Sequence, residues 1–339
     1  MKLDITQLKS ITTGAVRIEQ EEDGIHFYRF TQEQQALYAG VSADFLKKTH
    51  ATSGVKFCFR TNSETFSMKW LAINGSGRTF FQFDVFVNGK RTESFGNFDA
   101  DTITREYTSF TYPLGEFEKT VSLGAGEKDV CIYFPYSIRA VIQEVSVDDG
   151  AWLEPKLPRK KMVVFGDSIA HGYDALRPSN SAFTRLAQAL DAQEFNKGIG
   201  GDEFFPALAA TKEPFDPEYI VVAYGTNNWF GNTYEEFIGK CNGFYQNLVK
   251  TYPNSKIFAL TPIWRDDCRQ EKKFGAFEGV EKGIREAVRD LANVEIITCF
   301  DFLPHDKNYL GDFRIHPSDE GFDYYYEGLC KAILGGESC

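Results

Sequence analysis

The feature that most limits how this chain can fold is a change of texture near residue 161. Up to about residue 150, apolar and polar residues alternate in short runs broken by Gly, Asp and Asn. Beyond 161, apolar runs of strand length alternate with longer stretches whose apolar residues recur at helical spacing. A period of two and a strand-then-helix rhythm call for different packing layers, so the two halves require separate cores. At 339 residues the chain is long enough for both.

In the first half, residues 55–59, 65–72, 80–87, 90–95, 120–123, 130–134 and 140–147 read as short strands. Asn88-Gly89 joins two of them and is the strongest short hairpin signal in the chain. A β-sandwich or jelly roll over 1–153 follows. A linker is expected over 154–161, where Pro155 and Pro158 stand among charged residues. A second unit then covers 162–339. Aromatic residues make up 15% of the chain, which suits a sandwich core or a carbohydrate-handling surface.

In the second half, strands are expected at 162–165, 219–224, 256–260 and 294–298, with another ending at 194–196. Helices are expected at 181–190, 234–250, 279–291 and 318–334. Five parallel strands with helices between them make an α/β unit, a three-layer α/β/α sandwich of doubly wound type. In such sheets ligands sit at the carboxyl ends of the strands.

The chemistry-bearing residues fall at those ends. Gly166-Asp167-Ser168 follows the first strand and opens a helix, where a serine hydroxyl is presented beside a partial positive charge. Asn196-Lys197-Gly198-Ile199-Gly200-Gly201-Asp202 follows the second and offers backbone N–H groups. Gly225-Thr226-Asn227-Asn228 follows the third and offers side-chain amides. Asp312-Phe313-Arg314-Ile315-His316-Pro317 precedes the last helix and supplies a carboxylate and an imidazole. A nucleophile, two sets of oxyanion donors and a base with a nearby acid are the parts for acyl transfer.

These four blocks, in this order, resemble the SGNH/GDSL hydrolases, serine esterases and acyltransferases with a flavodoxin-like α/β/α domain. The β-rich first half resembles members with an N-terminal jelly roll, including carbohydrate esterase family 2. The resemblance implies Ser168 as nucleophile and His316 as general base. It also implies an oxyanion hole from the Ser168 and Gly201 N–H groups and the Asn227 amide. No metal and no cofactor is implied. Three positions depart from the pattern: Ala170 stands where a hydroxyl residue is frequent, Asn228 stands where Asp is usual, and Phe313 stands three residues before His316, where the acid is usual. Either Asp312 reaches the ring through a sharp bend, or a main-chain carbonyl takes the acid's place. The expected substrate is a small acyl ester, such as an acetylated sugar. An acyltransferase or a glycan-binding protein without turnover are the alternatives.

Trp229, Trp264 and Arg265 follow the third and fourth strands and are expected to wall the substrate, with packing as the competing role for the tryptophans. His171 could line the mouth or lie on a helix surface. Asp167 is expected to be buried and to shape its turn, and Asp266-Asp267 to be a solvated loop. A net charge of −11 argues against nucleic acid and anionic membrane as partners. The N-terminus lacks the apolar core of a signal peptide, and no stretch has the length of a membrane span. The seven cysteines, Cys58, Cys131, Cys241, Cys268, Cys299, Cys330 and Cys339, show no CxxC spacing. Reduced thiols and a cytoplasmic location are expected from them.

Overall fold

The structure, a computed structural model, describes residues 1–336. In the N-terminal half two antiparallel sheets face each other. One runs in the order 12–13, 56–61, 128–133, 82–87, 90–96 and carries Leu153–Pro155 on the strand Lys56–Thr61. The other runs 17–21, 24–28, 138–147, 65–74, 115–122. Asn88 and Gly89 both take positive φ, 50° and 77°, as a tight hairpin between Gln82–Val87 and Lys90–Gly96 requires. The aromatic excess fills the space between the sheets. The Trp70 ring lies 5.1 Å from Phe83, 5.5 Å from Phe95 and 5.6 Å from Phe117.

Three helices in this half escape a reading by alternation: Ile5–Ile11, Gln32–Val41 and Ala43–Thr49. Two of them start at capping boxes, Asp4 with Gln7 and Thr31 with Gln34. Of the stretch expected as a linker, Glu154 and Pro155 pair with Arg60 and Phe59, and Lys160 and Lys161 open the next strand.

In the C-terminal half Lys160–Gly166, Ala192–Asn196, Tyr219–Ala223, Lys256–Leu260 and Val294–Ile297 form one all-parallel sheet. Its order is 192–196, 160–166, 219–223, 256–260, 294–297, the doubly wound order of flavodoxin-like folds. The expected α/β/α unit is present behind an N-terminal β-sandwich. Val163, Phe165, Ile220, Val222, Ile257 and Ala259 are buried against one helical layer. Met162, Val164, Val221, Phe258 and Leu260 are buried against the other. Helices cover both faces, so the inner strands present apolar residues to both.

One expectation about the cysteines is corrected. Cys58 and Cys131 face each other in the register of their strands and form a disulfide, with Cα atoms 4.3 Å apart. Spacing in sequence could not show this, because the two residues are 73 apart and meet only through strand pairing. Cys241, Cys268 and Cys299 are free thiols. Cys339 lies outside the described residues. Among the described residues no helix is long and apolar enough to cross a membrane.

Candidate active site

The strand Lys160–Gly166 ends in a turn whose geometry excludes a side chain. A Cβ on Gly166 would lie 2.5 Å from the Ala170 Cβ and 2.9 Å from the Ala223 carbonyl oxygen. Asp167, buried as expected, accepts a hydrogen bond from the Ile169 N–H at 3.0 Å and caps the short helix Ser168–His171. Ser168 is its first residue.

The glycine-rich loop after Ala192–Asn196 is tied to this turn. The Asn196 amide donates to the Ala170 carbonyl at 2.8 Å, and the Ile199 N–H donates to the Gly166 carbonyl at 3.0 Å. Gly201 takes φ 89°, a conformation that favours glycine. After the neighbouring strand Tyr219–Ala223, Asn227 sits in the helix Thr226–Gly231 and donates from its amide to the Asp202 carbonyl at 2.8 Å. Asn228 is fully buried. Its amide accepts from the Phe204 N–H and donates to Asn232, so it braces the loop.

The imidazole arrives on the segment before the last helix. The Gly311 N–H donates to the His316 carbonyl at 2.7 Å, and Leu310 bridges to Pro317, closing a narrow loop. Phe313 takes φ 57°, which makes the bend. With the chain so turned, Asp312 reaches the imidazole from four residues back: its Oδ2 lies 2.7 Å from His316 Nδ1. Its Oδ1 accepts from the N–H groups of Arg314, Ile315 and His316 at 3.0, 2.8 and 3.1 Å. Of the two arrangements open from sequence, the carboxylate holds the ring. His316 Nε2 lies 2.8 Å from Ser168 Oγ. With Nδ1–H donating to the carboxylate, Nε2 accepts from the serine hydroxyl.

Burial alone would hold the His316 pKa down. The charge and contact of Asp174, and then of Asp312, outweigh it and raise the imidazole to about 9. Burial works to raise Asp312, but the bond and charge of His316 and the loop N–H groups hold it far below the usual carboxylate range.

The three residues expected to wall the substrate are buried in packing contacts. Trp229 is fully buried, and its indole N–H donates to the Gly275 carbonyl at 2.9 Å. Arg265 is buried over the Trp229 ring, bonded to Asp267 and to the Thr226 carbonyl. Trp264 is buried and stacks on His305 at 5.4 Å. Position after a strand places a residue at the right edge but leaves open whether it points up or inward. Phe230, one residue beyond Trp229, is the exposed aromatic, with Lys272 and Arg314 over its ring. Asp267 is likewise a buried partner of Arg265 and Arg314 rather than a solvated loop residue. His171 is neither at the mouth nor on a helix surface. It is fully buried, donating from Nε2 to the Tyr136 carbonyl and accepting the Gly200 N–H at Nδ1.

Sequence reasoning also missed Asp174. It is fully buried, with φ 70° and one carboxylate oxygen 3.4 Å from His316 Nδ1.

Hydroxyl, imidazole and carboxylate in hydrogen-bonding sequence at the carboxyl edge of a parallel sheet are the parts of a serine hydrolase, and the chain is an enzyme of the ester-hydrolysing class. Residues 164–324, within the C-terminal unit, match the GDSL-like lipase/acylhydrolase family. No curated protein sequence matches it. Among solved structures it is similar to the salicylyl-acyltransferase SsfX3 from a tetracycline biosynthetic pathway. The TM-score is 0.78 at 19% identity, over 96% of this chain and 95% of that one. A GDSL-like lipase candidate from Bacteroides ovatus gives 0.73 at 20% identity, over 99% and 98%. A family two carbohydrate esterase from Cellvibrio japonicus gives 0.64 at 16% identity, over 97% and 96%. These likenesses span both units, so the two-unit fold is shared.

Proposed function

We propose that the protein is a serine esterase in which Ser168 attacks a small acyl ester. His316 takes the serine proton as the hydroxyl adds to the carbonyl carbon. Asp312 holds the Nδ1–H tautomer and stabilises the imidazolium. The tetrahedral oxyanion is assigned to the Ser168 and Gly201 N–H groups and the Asn227 amide. His316 then protonates the leaving alcohol, and water resolves the acyl-enzyme by the reverse sequence. Phe230 and Arg314 replace the tryptophans as the rim of the substrate site. The observation that carries this reading is the 2.8 Å approach of His316 Nε2 to Ser168 Oγ, with Asp312 2.7 Å behind the ring.

An acetyl group on a carbohydrate is the substrate class we favour, supported by the likeness to family two carbohydrate esterases, one of which was solved with cellohexaose. The higher TM-score with a salicylyl-acyltransferase supports a second reading, transfer of the acyl group to an alcohol other than water. The two differ only in what reaches the acyl-enzyme. The test is acetate release from a panel of acetylated sugars, and p-nitrophenyl acetate turnover with and without an added alcohol. Turnover that survives Ser168→Ala unchanged overturns the mechanism. Product ester formed in place of acetate selects transfer. The expectation of reduced thiols in the cytoplasm loses its ground at Cys58 and Cys131, and their disulfide favours an oxidising compartment.

A further inference from the structure

The N-terminal sandwich grips the loop after the nucleophile with several side chains, Arg78 among them. Arg78 Nε lies 2.6 Å from one oxygen of Asp174 and its Nη2 3.0 Å from the other, a two-pronged grip on a carboxylate with no exposure. The backbone of Asp174 is held from the same side: its N–H donates to the Tyr136 hydroxyl at 2.9 Å, and the Tyr107 hydroxyl donates to its carbonyl at 2.6 Å. The neighbouring Tyr173 hydroxyl accepts the Gly77 N–H at 2.9 Å, and its ring stands 5.3 Å from that of His316. Four residues of the sandwich thus hold two residues of the hydrolase unit against the imidazole.

We propose that Asp174 is a second acid for His316, a positioning residue alongside Asp312, and that Arg78 makes the sandwich a working part of the catalytic apparatus. This rests on the reading of His316 as the general base. Asp174 Oδ2 is within 3.4 Å of Nδ1, so a small rotation of the ring moves the Nδ1–H from Asp312 to Asp174 without disturbing the bond to Ser168. The groups facing the ring are Ser168, Tyr173 and Asp174 from the loop after the nucleophile and Asp312 from its own loop. Arg78 stands behind Asp174, and Asp167 acts from the strand end. Both carboxylates favour the imidazolium, in line with the raised His316 value.

The test uses the full chain. In Ser168→Ala, the His316 ring is titrated by NMR, then again with Asp174→Asn added. The expected result is a downward shift of about one unit or more. The acid limb of the kcat/KM profile of Asp174→Asn should move the same way with KM nearly unchanged, and Arg78→Lys should restore part of the shift seen in Arg78→Ala. An unmoved His316 titration overturns the proposal. Should Asp174→Asn not fold, Asp312→Ala decides. With a second acid in place it keeps activity within roughly a hundredfold of wild type, whereas a loss near 10⁴-fold, as found where an imidazole has a single acid, overturns the idea. If instead His316→Ala is fully active, the esterase reading itself has failed, an outcome distinct from either of these.

Discussion

Arg29 Nη1 donates to the Asn196 carbonyl oxygen at 2.6 Å, from the fully buried side chain of a residue 167 positions earlier in the chain. The same guanidinium donates to the carbonyls of Ala51, Lys48 and Gly198. It therefore pins the start of the glycine-rich loop, which carries Gly201, to the N-terminal half. Arg29→Ala leaves several buried carbonyls without a donor. We expect a loss of stability of about 3 kcal/mol or more together with a fall in kcat, measured by denaturant unfolding and ester turnover. Unchanged stability would mean that water takes over those carbonyls.

Ser168→Ala and His316→Ala should each abolish turnover while circular dichroism stays native, since each truncation removes only atoms at the site. The two residues act as a unit, so the double variant should be little worse than either single one.

Asn227→Ala should lower kcat by roughly a hundredfold with little change in KM, because an oxyanion donor matters once charge has developed. Asn228→Ala should act differently. Its amide is buried and bonded to Phe204 and Asn232, so the cost appears as a lower Tm. The reverse pattern would identify Asn228 as the donor.

Stability should fall as pH rises from mildly acidic values toward 9. Burial raises Asp202 to about 7 and Asp167 and Asp319 to about 6, so the folded state holds these protons longer than the unfolded chain. What they contribute is complete below the ordinary carboxylate range and is lost as pH rises through 6 to 7. His316, raised to about 9, adds stability that is complete below its ordinary value of 6.5 and is lost as pH passes 9. Asp312 runs the other way, losing its contribution only in strong acid. Denaturant unfolding across pH 5 to 9 measures the slope, and Asp202→Asn should flatten it between 5 and 8.

The four blocks were legible because each lies in a contiguous stretch whose glycines, apolar runs and polar tips carry local meaning. Parallel topology then brings them together without further instruction. Asp312 was legible as a candidate, and the bend at Phe313 that lets it reach His316 was expected in kind. Asp174 and Arg78 were not legible: they are 96 residues apart, in different units, and meet only through packing that no local pattern encodes. The helices before residue 50 were missed for a simpler reason. They are short and start at polar caps within a half whose dominant period is two.

The grip of Arg29 on Asn196 also bears on synthesis. A ribosome releases the sandwich long before residue 196 exists, and until then the Arg29 guanidinium has two of its four carbonyl acceptors missing. During that interval it stays hydrated, and the surface meant for Asp174 stays open. The first half thus emerges as an unfinished piece whose last bonds wait for the second, and a fragment cut at the boundary should be prone to stick to itself. For the same reason this hydrolase unit is a poor cassette: grafted onto another protein, it leaves behind the cations that hold its loops.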